Sequence, residues 1–227
     1  MAKQKTKKIT DQEIVSFYTD YVLIHGKKPN SVYEFALKND FEEAFFYTYF
    51  SSFEHIEEQY FADMFDYSLN MVQNIPEYST YDASQKLSSF YFTFIEMATA
   101  NRSFVKYLLE EGKNPLKNIK KLKSLRQSYL AFVKEILEAP YKSEVRNVEK
   151  FQNRIIHEGA WIQFMSILKY WMDDTSKGFE KTDIFIEKSI RASFDIVYNV
   201  PLESILDFGK FLWKDKFQST SKDKATS

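Results

Sequence analysis

From about residue 9 to residue 216 the apolar residues of this chain recur at three- and four-residue intervals, with only 5 Gly and 5 Pro to interrupt them. Such spacing lines one face of a helix turn after turn, and no segment shows the two-residue alternation of a half-buried strand. The expected class is all-α. Ile14, Phe17, Tyr18 and Tyr21 define one face of a first helix, which HGKKP ends. Ser31 can cap a short second helix reaching residue 39. A third covers about 42–49, and a long fourth begins after the serines at 51–52 and stops near residue 74, at IPEYS. Further helices are expected over about 83–100, 103–110, 119–137, 145–173 and 183–198, with a terminal one near Pro201.

Composition narrows the function classes. The chain has no Cys, which removes disulfides, thiolate nucleophiles and Cys-ligated zinc. The basic start MAKQKTKK is followed by no apolar stretch of a secretory signal, and no apolar run reaches the ~18 residues of a spanning helix. A cytoplasmic, non-transmembrane protein is the expectation. Aromatics reach 18%, with 22 Phe, 15 Tyr and 3 Trp. Each buries a large area, so the core is either bulky or wrapped around something apolar.

Residues 14–61 resemble the helix-turn-helix domain of TetR-family transcriptional regulators. IVSFYTDYVLIHG matches the first helix of that domain and SVYEFALKNDF its second helix and turn. FFYTYF matches the core of the recognition helix, and SSFEHI the opening of the connecting helix. The resemblance implies a helix-turn-helix domain at 9–50, a helical ligand-binding and dimerisation domain at 51–216, and tails at 1–8 and 217–227. NRSFVKYLLEEG also looks like a segment common in the larger domain of that family. It also implies a DNA-facing set of Lys28, Ser31, Glu42, Glu43, Phe45, Tyr47 and Tyr49, with Tyr47 and Tyr49 on backbone phosphate.

The charge of the same region opposes that use. Between residues 9 and 66 twelve acids face three lysines, Lys27, Lys28 and Lys38, a net of −9. Affinity for DNA rests on cations meeting phosphates. The tail lysines Lys3, Lys5, Lys7 and Lys8 return only four positive charges.

A second, shorter resemblance runs through residues 170–190, YWMDDTSKGFEKTDIFIEKSI, which is similar to the late segment of the TetR-fold lipid-binding accessory protein of ubiquinone biosynthesis. It implies a competing function, a lipid carrier on the same frame that reads no DNA.

Catalytic patterns are missing from the sequence, so no enzyme, cofactor or metal is expected. His25, His55 and His157 lie on separate helices or helix ends, and His157-Glu158 lacks the second His of a zinc-binding H-E-x-x-H. Asp173-Asp174 reads as a capped helix end. The basic run 117–127, KNIKKLKSLRQ, reads as a solvated face, or as a patch for an anionic membrane surface or an acidic partner.

Two apolar groupings remain. Phe90, Phe94, Met97, Trp161, Phe164 and Met165 make either plain core or the lining of a pocket for a small apolar ligand or lipid. Ile156, Ala160, Trp161, Phe164, Met165, Ile167, Leu168, Trp171 and Met172 cover roughly half of one helix's circumference. That width suits either a central helix of a monomer or burial on two sides, and by the family resemblance the helices at 145–173 and 183–198 are expected to pair with their symmetry mates in a homodimer.

Overall fold

Thr10 opens the first helix with a reciprocal cap. Its hydroxyl accepts from the Glu13 amide at 3.2 Å, while the Glu13 carboxylate accepts from the Thr10 amide at 3.0 Å. Helix α1 (Asp11–His25) buries Ile14, Tyr18 and Val22 and ends at Gly26, whose φ of 64° is a left-handed stop open to glycine. Ser31 caps α2 (Val32–Lys38), as expected, and Asp40 turns the chain with φ 55° into α3 (Glu43–Tyr49). Ser52 caps α4 (Phe53–Gln73), which runs 21 residues before Pro76 and a 3-10 turn end it.

This computed structural model describes residues 9–110, 115–137 and 146–199, with side chains described for 9–110, 118–137 and 154–197. The expected terminal helix near Pro201 and both tails lie outside the described residues. Beyond α4 come α5 (Ala83–Ala100), α6 (Arg102–Glu110), α7 (Pro115–Lys121), α8 (Lys123–Leu137), α9 (Arg146–Asp173) and α10 (Glu180–Asn199). Among the described residues there is no strand, and the class is all-α.

Three boundaries differ from the sequence expectation: α10 begins at Glu180 instead of 183, α7 begins at Pro115 instead of 119, and α7 does not run on to 137. The single helix expected over 119–137 is two, α7 and α8, broken at Leu122. Leu122 is itself buried, and its amide bonds Ile119 O in a tight turn. The break follows from two anchors upstream of it: the Asn118 amide donates to Leu109 O at 2.8 Å and the Lys121 ammonium to Leu108 O at 3.1 Å. Apolar spacing carries no record of such polar anchors, so it ran through the break.

Helices α1 to α3 close around Phe35, whose ring meets Tyr18, Tyr21, Phe41, Phe46 and Phe53 edge-on at 5.5 to 6.5 Å. This core is continuous with the larger domain, because the Phe104 ring of α6 meets Tyr18 at 6.3 Å. The second centre of packing lies between α5, α8 and α9, around Phe164.

The α9–α10 joint is held by polar side chains. Asp174 accepts from the Ser176 amide at 2.8 Å and hydroxyl at 2.7 Å, and from the Thr182 amide at 3.0 Å and hydroxyl at 2.7 Å. Desolvation works to raise the Asp174 pKa, but these hydrogen bonds outweigh it and hold the carboxyl well below its usual range. Arg102 completes the joint, donating to Trp171 O at 2.9 Å and Met172 O at 3.0 Å and lying over the Trp171 and Phe179 rings, each at 4.5 Å. The last carbonyls of α9 thus receive a cation where the helix dipole favours one.

Candidate functional site

The face expected to meet DNA is α3 with its approach. Tyr47 is 54% exposed and donates to the Glu43 carboxylate at 3.4 Å, on its own helix. Tyr49 donates to Ile9 O at 3.3 Å, so the chain enters α1 beside the end of α3. Glu42 stands exposed at the N-cap of α3 without a side-chain capping bond, and Phe45 is half-buried against the core. The Ser31 hydroxyl is spent on the Glu34 amide at 3.1 Å. Lys28 turns toward α4, where its ammonium meets Glu54 at 2.8 Å and Glu57 at 3.1 Å. The Lys28 bond holds the Glu54 carboxyl below its ordinary pKa, against the opposing effect of desolvation.

Glu57 is the residue that sequence reasoning missed. It is fully buried, and three other segments converge on it. Tyr18 of α1 donates to one carboxylate oxygen at 2.6 Å, while Lys28 of the α1–α2 loop and Lys121 of α7 each meet the other at 3.1 Å. Lys121 is only 6% exposed, so part of the basic run turns inward instead of facing solvent. Arg126 of the same run binds both Glu158 oxygens, at 2.6 and 2.8 Å. A signal for Glu57 existed: it sits four residues after Phe53 and four before Phe61, inside the apolar stripe of α4.

The six residues grouped as core or pocket separate. Phe164 lies nearly parallel to Tyr129 at 4.8 Å and to Tyr91 at 5.8 Å, and meets Phe94 edge-on at 5.0 Å. Phe90 joins this cluster, 6.2 Å from Phe164, while Met97 turns to α4 and accepts from Ser68 at 3.2 Å. Trp161 and Met165 instead line an open depression of about 730 Å³ on α9 and the start of α10, with Ile162, Lys169 and Tyr170. A second concavity, a cleft of about 240 Å³ between α5, α8, α9 and α10, is lined by Leu87, Val133, Ile156, Gly159, Gln163 and Ser193 among others. Phe90, Phe94, Met97 and Phe164 line neither concavity.

His25 lies against Tyr21 with the rings tilted and 4.3 Å apart, His55 accepts from the Ser51 amide at 3.2 Å, and burial lowers the His157 pKa with help from Lys134. Among the described residues no group of three His, Asp or Glu could hold a metal ion, and no helix is long and apolar enough to cross a membrane.

A small three-helix unit carrying a helix-turn-helix is joined by the long helix α4 to a larger set of helices, an all-α arrangement of the TetR-like kind. Residues 86–212 match the family model described as Tetracyclin repressor-like, C-terminal domain, over more than half of the chain. The chain belongs to the TetR family of regulators. No curated protein matches it.

Proposed function

We propose that the chain is a cytoplasmic, ligand-responsive transcriptional regulator, in which a small apolar ligand held in the cleft between α5, α8, α9 and α10 changes the DNA affinity of the α1–α3 head. The Glu57 junction carries this reading. It ties α1 and the α1–α2 loop to α4 and to α7 through buried charges. A shift of the body that moves Lys121 therefore acts on the same carboxylate that holds the head. A ligand with different affinity for two settings of this junction would shift their populations, and with them the spacing of two heads.

DNA is the head's intended partner on this reading, with Tyr47 and Tyr49 on phosphate and Lys28 serving the junction. Glu42 and Glu43 weaken the complex, since acids at a helix start favour the helix but repel a phosphate there. Gel shifts against genomic fragments at low salt test the function: no retention of any fragment by the parent or by a head freed of these acids would remove it. The double variant Glu42→Ser with Glu43→Lys should bind non-specific DNA more tightly than the parent. Its affinity should also fall more steeply with salt, by about one unit of log–log slope for each further phosphate that the variant neutralises. Unchanged binding would show that the acids do not face the duplex.

The working unit on this reading is a homodimer. Ile162, Tyr170, Ile184 and Ile196 are large apolar residues left exposed on α9 and α10 in the single chain, and a second copy packed there as a four-helix interface would cover them. Sedimentation giving a monomer at micromolar concentration would reject that assembly. The lipid-carrier alternative has less behind it. Asp174, Ser176 and Thr182, three of the six residues that carry that resemblance beside Trp171, Phe185 and Ile190, are occupied in closing the α9–α10 joint.

A further inference from the structure

Among the described residues the cleft between α5, α8, α9 and α10 has apolar walls, Phe194 among them, and two polar side chains in its lining, Ser193 of α10 and Gln163 of α9. The Gln163 Oε1 lies 3.4 Å from the Tyr91 hydroxyl and 3.5 Å from the Ser193 hydroxyl, whose proton has a nearer acceptor in Ile190 O at 2.9 Å, and the Gln163 Nε2 donates to Ser189 at 3.3 Å. All three distances lie at the long end for such bonds, so the amide can exchange them for shorter ones to a bound molecule. Tyr91 behind it is fully buried and bonded to the Tyr129 hydroxyl at 2.5 Å. Burial pushes both phenol pKa values up, so both groups stay neutral. Among the described residues no charged side chain lines the cleft.

We propose that this cleft takes a compact, neutral, apolar molecule bearing a single carbonyl or hydroxyl group, which it turns toward Gln163; the proposal rests on the reading of the cleft as the effector site. A carboxylate or ammonium in that position would lose its water and meet only an amide and hydroxyls, and a desolvated charge without a counter-charge is strongly disfavoured. The reverse orientation, with hydrocarbon against Gln163, would desolvate the amide and give it nothing in return. The volume of about 240 Å³ sets the size. It lies below the ~300–1,000 Å³ of sites for drug-sized ligands, so the molecule is small or enters only in part.

Decanol, decanoate and decylammonium share one chain and differ in the head group. Calorimetric titration of the full chain at neutral pH should show decanol binding at least about tenfold more tightly than either ion. Gln163→Leu should weaken decanol by up to about tenfold, the worth of one hydrogen bond to an otherwise apolar ligand. Gly159 provides the plug: it lines the cleft, and a Cβ added there meets nothing within 4 Å. Gly159→Leu therefore starts a side chain at the cleft wall from a Cβ that meets no neighbour, and replaces a helical glycine by a better helix former. It should abolish decanol binding while the unfolding midpoint is kept or raised. If the ions bind as tightly as decanol and Gly159→Leu blocks all three, the neutral-head proposal is overturned and the cleft stands as the site. If Gly159→Leu leaves decanol binding intact, the cleft is not the site and both readings fall. Failure of decanol to bind the parent overturns the proposal outright.

Discussion

Glu57→Gln should lower the unfolding free energy by about 3–5 kcal/mol, the usual cost of removing one partner from a buried ion pair. The residue is 0% exposed and receives a tyrosine hydroxyl and two ammonium groups. The two lysines lose unequally. Lys28 is 21% exposed and keeps Glu54 at 2.8 Å, so its share of the loss is small. Lys121 is 6% exposed and keeps the Leu108 carbonyl, but it loses the buried carboxylate. Burying that ammonium without the Glu57 charge dominates the cost. Adding Lys121→Met to Glu57→Leu should therefore recover much of the stability, because an apolar pair of similar volume carries no desolvation penalty. Chemical denaturation of the three proteins measures this directly. A Glu57→Gln midpoint within about 1 kcal/mol of the parent would mean that water reaches the junction and that it is a surface pair. The recovered double variant is also informative for function. It should fold, yet its DNA affinity should no longer respond to ligand as the parent's does, since the ionic tie between α7 and the head is gone.

Phe164→Ala should cost about 3–5 kcal/mol, the range for deleting a large aromatic from a filled core. Its ring lies nearly parallel to those of Tyr91 and Tyr129, with interplanar angles of 7° and 15°, and is edge-on to Phe94. The surrounding helices cannot collapse onto the space, because the two tyrosines are pinned to each other and Tyr129 also donates to Ala160 O at 3.1 Å. A loss below about 1.5 kcal/mol would show that the ring borders an occupied or solvent-filled pocket instead of filling a core. The same experiment therefore decides which of the two uses the aromatic cluster serves.

The helices of this protein were legible because their causes are local. The Thr10–Glu13 box, Ser31, Ser52, Gly26 and Pro76 mark starts and stops through contacts reaching three or four residues. Hydrophobic spacing at the same range supplied most of the rest; it placed the starts of α7 and α10 several residues late, and the break it missed, at Leu122, depends on polar anchors to α6. The head's charge was legible too, since a sum over residues needs no geometry.

The tertiary structure alone decided which of those charges and rings matter. In the sequence Lys121 is one lysine in a basic run and Glu57 one acid in an acidic helix. Nothing local separates them from residues that face water, because their pairing spans 64 positions and depends on how α4 and α7 pack. The aromatic residues divided in the same way: Phe90, Phe94 and Phe164 interlock, while Trp161 and Met165 reach the surface. Helical periodicity assigns a residue to a face. Whether that face meets a ring, a counter-ion or open space is set by neighbours distant in the chain, through packing volume and desolvation, and those quantities exist only once the helices are assembled.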